Sequence, residues 1–142
     1  MKGKAAKRAR IARVRRIQHD LVAADAARAE NHATMLESSA ERLAQLRNTL
    51  SVGVGQASGA SLANLGELAM RLDDARQGLT AAIDNARANA SHQSELRLQA
   101  RVRQESAAKL EARAASALAQ FLERNSFSSA RRKVRILAGD KA

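Results

Sequence analysis

The chain of 142 residues has no proline, cysteine, tryptophan or tyrosine, and its only aromatics are Phe121 and Phe127. Without proline, the strongest helix breaker is gone. Without cysteine, disulfides and thiolate zinc sites are excluded, which suits a reducing compartment. Without large aromatics, a thick globular core lacks its usual filling. No run approaches the roughly 20 apolar residues that span a bilayer. The basic start is followed by no apolar stretch of signal-peptide length, so a cytoplasmic chain is expected. What is present is alanine in abundance: apolar residues make up 45% of the chain, and alanine is the largest part of them. Alanine is the best helix former and buries little surface. Such a supply suits helices paired along a narrow seam, not a multi-layer fold.

Charge is unevenly spread. The net charge is +11. Residues 1–16 hold eight basic side chains and no acid, among them Arg8, Arg10, Arg13, Arg15 and Arg16. Residues 131–142 add Arg131, Arg132, Lys133, Arg135 and Lys141 against Asp140. The stretch between is nearly neutral. The layout is a neutral rod with positive ends.

Apolar spacing predicts an all-α chain: a long antiparallel two-helix coiled-coil hairpin with unequal arms, forming a single domain. The first helix is expected over about residues 5–50. Val14, Ile17, Leu21, Leu36, Leu43, Leu46 and Leu50 lie on one stripe at spacings of 3, 4 and 7. Several positions fall 11 apart, a period close to that of a straight helix. Asp25, Arg28 and His32 in the middle of this stripe predict a weak, wet seam. The turn is expected at about 51–61, where three glycines and three serines cluster. Gly53 or Gly55 would end the first helix, and Ser61, or Asn64 with Glu67, would cap the next. The second helix is expected over about 62–125. Leu72, Leu79, Ala86, Gln93, Ala100, Ala107, Ala114 and Phe121 keep a seven-residue spacing. Gly66 and Gly78 weigh against continuity near the turn. Asn125 to Ser129 is expected to end the helix before a basic tail over about 126–142. Folding about residue 56 would set Ala5 level with about residue 107. Residues 107–125 would then project by roughly 25–30 Å at about 1.5 Å per residue.

Catalysis finds no motif. His19, His32 and His92 are scattered, and no metal-ligand cluster, nucleophile elbow or phosphate loop occurs. Gly53-Val54-Gly55 has no preceding strand and no following Lys-Ser/Thr. The reading is a non-enzyme with no cofactor, no metal and no small-molecule ligand. The basic ends fit docking on an acidic protein surface, or non-specific attraction to nucleic acid. They lack the interleaved aromatics of single-strand binders. A membrane-surface helix would need more bulky anchors than Ile11 and Val14. Near the turn, Leu36, Leu43, Leu50, Leu62, Leu65, Leu68, Met70 and Leu79 exceed what one seam covers, so part of that surface suits a protein partner.

The layout resembles the FliJ family of flagellar type III export proteins and their injectisome relatives. The resemblance rests on the basic start, the helix ending in Arg47-Asn48-Thr49-Leu50, the Gly/Ser turn, and Leu68-Ala69-Met70-Arg71-Leu72 opening a longer helix. Arg103-Gln104-Glu105-Ser106, Leu118, Phe121-Leu122-Glu123 and the basic tail also fit. It implies a non-catalytic stalk or adaptor, similar to the central stalk of rotary ATPases, cytoplasmic but peripheral to the flagellar base at the membrane. The implied partners are the export ATPase ring, the export-gate membrane protein and export chaperones. The ATPase would be met through the basic end, read as Arg8, Arg10, Arg13, Arg15, Arg16, Arg131 and Arg132. The implied gate-contact surface is Leu46, Leu68, Leu72 and Ala75, where the family often carries aromatics. The alternative is a basic coiled coil that associates non-specifically with nucleic acid.

Overall fold

A computed structural model describes the backbone of residues 1–52 and 58–139, and the side chains of residues 1–50 and 58–129. Two helices account for it: α1, Lys2–Val52, and α2, Gly59–Gly139. They pack against each other as an all-α hairpin, with no strand among the described residues. The arms are unequal, at 51 and 81 residues.

The ends of the helices show why the boundaries fall where they do. Ser58, not Ser61 or Asn64, caps α2. Its Oγ accepts the Ser61 amide at 3.3 Å, and its carbonyl accepts the Leu62 amide at 3.0 Å. This satisfies donors that a helix start leaves open. Gly53 and Gly55 lie outside the described residues. Gly66 and Gly78 do not interrupt α2. Both have negative φ and open space around them, and their local cost is small beside the cooperativity of a long helix. Nor does α2 end at Asn125–Ser129. There the Ser126, Ser128 and Ser129 hydroxyls donate to the carbonyls of Glu123, Asn125 and Ser126 at 2.7, 2.9 and 2.9 Å. The hydroxyls are thus occupied inside the helix rather than drawing the backbone out of it. Most of the segment expected as a tail is helical, as far as Gly139.

The described residues form two units: Val22–Arg97, and Met1–Leu21 with Leu98–Ala142. In the central unit, Arg47 of α1 bonds Asp73 of α2 at 3.2 Å, while Glu37 and Glu30 bond Arg87. Partners rise along α2 as they fall along α1, so the helices are antiparallel. Ala26, Ala29 and Ala33 of α1 and Ala86 and Ala90 of α2 are buried here. In the terminal unit the buried residues are Ala12 and Ala107. Every buried residue in the described chain is therefore an alanine.

This corrects part of the expected seam of α1. Val14, Ile17, Leu21 and Leu46 are exposed, while Leu36, Leu43 and Leu50 are half-buried. The covered line instead recurs every seven residues through Ala5, Ala12, His19, Ala26, Ala33, Ala40 and Arg47. The 11-residue period does not hold, and Asp25, Arg28 and His32 lie outside the seam. Alanine explains the shift. A side chain that stops at Cβ lets backbones approach closely and is itself fully covered, as at Ala33 with 0% exposure. Val14, Ile17 and Leu21 fall outside this line, on the open side of the helix. On α2 the expected seven-residue line is covered from Leu72 to Ala114. Its last member, Phe121, is exposed, because coverage stops at Leu118 and every described side chain from Ala119 to Ser129 is open.

Candidate interaction surfaces

The basic start of α1 is a surface of unpaired charge. Arg8, Arg10, Arg13 and Arg16 are exposed, and Arg15 is half-buried. Arg15 donates to the neutral side chain of Gln18 at 3.0 Å. Among the described residues, none of the eight basic groups of residues 1–16 forms an ion pair. Helix polarity adds to this charge, because open amides at a helix start carry partial positive charge. The side chains of Arg131 and Arg132 lie outside the described set.

Several acids elsewhere are paired with arginines. Asp25 pairs with Arg28, Glu67 with Arg71 at 2.5 Å, and Glu105 with Arg101 at 2.9 Å. The largest cluster is in the central unit. Arg87 donates to Glu37 through Nε at 2.6 Å and Nη2 at 2.5 Å, and to Glu30 through Nη1 at 2.6 Å. Glu30 and Glu37 are seven apart, on one face of α1, so one guanidinium reaches both. The hydrogen bonds from Arg87 hold the Glu37 carboxyl below its ordinary range. Those carboxylates in turn raise the Arg87 guanidinium above its own. The sequence signal was available in the Glu30–Glu37 spacing, but the partner required the register of the hairpin.

The four residues implied for a second partner all fall in the central unit. Leu46 and Leu68 are exposed, Ala75 is exposed, and Leu72 is half-buried in the seam. The antiparallel Arg47–Asp73 bond sets Leu46 level with about Asp74, within one helical turn of Leu72. Leu68 and Ala75 are seven apart and so share a face of α2. Met70 and Leu62 nearby are exposed as well. Leu36, Leu43, Leu50, Leu65 and Leu79 are half-buried, which leaves a smaller apolar surface than the sequence count suggests.

One groove was not anticipated. In the terminal unit, a cavity of about 260 Å³ opens between Arg8, Ile11 and Arg15 of α1 and Val102, Arg103 and Leu110 of α2, with Ala107 at its base. The register differs from the expected one, since residue 107 meets Arg8 to Arg15 rather than Ala5. The histidines form no site. His19 is half-buried against Asp20 at 3.2 Å, and His32 and His92 are exposed. Among the described residues no cluster of metal ligands occurs, and no helix is long and apolar enough to cross a membrane.

The geometry defines a class, an all-α two-helix hairpin. No protein-family model matches the chain, and neither does any curated protein or solved structure.

Proposed function

We propose that this hairpin is a non-catalytic stalk or adaptor of a type III protein export apparatus. Its basic terminal region docks on the export ATPase ring, and the apolar surface around Leu46, Leu68, Leu72 and Ala75 meets the export gate or an export chaperone. The observation that supports this most is the contrast in charge. In the central unit Arg28, Arg47, Arg71 and Arg87 each pair with acids, while the basic groups of residues 1–16 have no acidic partner among the described residues. Unpaired surface charge of one sign speeds association with a surface of the other sign and orients it. The unequal arms and the placement of the resemblance residues are in keeping with the same reading.

The same unpaired charge favours one alternative, non-specific association with nucleic acid. Capture from a lysate of the source cell, at low and high salt and with nuclease, separates the two. Recovery of an export ATPase or gate protein after nuclease treatment is the expected result. Recovery of nucleic acid alone, lost on digestion or at high salt, would replace the proposal with the alternative.

A further inference from the structure

We infer that the groove of the terminal unit is a docking site for a third helix, supplied by a partner protein and amphipathic with acidic flanks. This deepens the reading of the basic terminal region as a protein-docking surface and rests on that reading. It does not depend on which machine the partner belongs to.

The groove has a floor and a rim of different chemistry. Ile11, Val102, Ala107 and Leu110 supply an apolar floor. Arg8, Arg15 and Arg103 stand around it, and no carboxylate lines it. None of these three guanidiniums is in an ion pair among the described residues, and Arg15 spends its hydrogen bond on the uncharged Gln18. Val102 is 63% exposed and Ile11 37%, so apolar surface is open between the cations. The position is also telling. The groove flanks the seam of two antiparallel helices, where the ridges of a third helix find a place to lie. The α2 lining, Val102, Arg103, Ser106, Ala107 and Leu110, recurs at helical spacings of 3 and 4, so the groove follows a helical track.

The occupant follows from that chemistry. An apolar stripe at i, i+3 or i+4 and i+7 fits the floor, and flanking Glu or Asp fits the rim. Nucleic acid would use the rim but leave the apolar floor in contact with nothing, and the floor has no aromatic on which a base stacks. A second copy of this chain is disfavoured by charge. Its own terminal segment, with eight basic groups and no acid in residues 1–16, would bring like charge to the rim.

The test is a fluorescence-anisotropy titration of the full chain with labelled synthetic helical peptides. One peptide carries a Leu stripe with Glu flanks. A second has the same composition scrambled, so that it keeps the charge and loses the stripe. Binding of the first peptide is expected, with the scrambled one at least about tenfold weaker, or about 1.4 kcal/mol. V102D and R103E should each weaken binding by about tenfold. The double variant R97E/R124E changes more charge on exposed residues outside the groove, and it should stay within about threefold. Helicity by circular dichroism checks each variant. If V102D loses helix, the exposed Arg103 decides through R103E alone. Equal binding of the scrambled peptide, or equal loss in R97E/R124E and R103E, would mean diffuse attraction and overturn the site. Sedimentation showing a dimer that V102D splits would assign the groove to a second copy, again overturning it. The two proposals fail separately. Peptide binding through the groove with no export component captured would leave the groove standing and remove the export reading. An export ATPase captured equally by wild type, V102D and R103E would do the reverse.

Discussion

Ala33 sets the terms at the scale of single residues. It is fully covered, whereas Leu21, Ile17 and Val14 on the same helix are about half exposed or more. The ordinary ranking of large over small apolar side chains is therefore inverted in α1. A33L should destabilise the hairpin by about 1–3 kcal/mol, because a larger group has no room on a close-packed line. L21A should change stability by no more than about 0.5 kcal/mol, as expected for a surface change away from special features. Urea titrations followed by helicity measure both, and a larger loss from L21A than from A33L would mean that the seam is misplaced. This inversion is also why the seam of α1 was misread from the sequence. Leucine, isoleucine and valine carry the strongest periodic signal, while alanines occur on every face and mark none. On α2 the seven-residue line contained enough leucine at Leu72 and Leu79 to point correctly at the alanines beyond.

At the scale of elements, the cluster around Arg87 ties one helix to the other. A solvent-accessible ion pair usually contributes little, but bidentate geometry and a second carboxylate are the favourable exception. Glu37 is held below its ordinary value of 4.5 by hydrogen bonds from Arg87. Its charged form is thus favoured by folding. The contribution is present at neutral pH and down to about that ordinary value, and it is lost as pH falls further through the lowered one. E37Q should melt at a lower temperature than wild type near neutral pH. The gap should close as the pH of the melt falls through the lowered value, where the Glu37 carboxyl takes up its proton in both states. A gap that persists unchanged in acid would show that the carboxylate charge is not the source. The helices themselves were legible from alanine content and the missing proline. Their ends were not. Ser58 and Ser61 are both plausible caps by type, and Ser126 to Ser129 read as a break because serine hydroxyls serve loops and helices alike. Only the direction of each hydroxyl, here into the helix, decides between them.

For the whole molecule, all-α class, unequal arms and the segregation of charge were readable from composition and spacing. The apolar groove was not, because it depends on which residues of α2 stand beside Ile11, and register is a property of the pair. The candidate surfaces inherit the same division. The basic start was evident as a run of residues, whereas its freedom from acidic neighbours is a fact of three dimensions. That the buried residues of the described chain are all alanines has a thermal consequence. Unfolding exposes little new apolar surface for each residue, while it exposes the polar backbone of two long helices. Apolar exposure raises heat capacity and polar exposure lowers it. Scanning calorimetry should therefore give a heat-capacity increment below the roughly 12–15 cal/mol/K per residue of ordinary domains. An increment in that ordinary range would mean larger side chains are buried than the hairpin shows. With a small increment the stability curve is shallow, so cooling weakens this hairpin less than it weakens a domain with a leucine-rich interior.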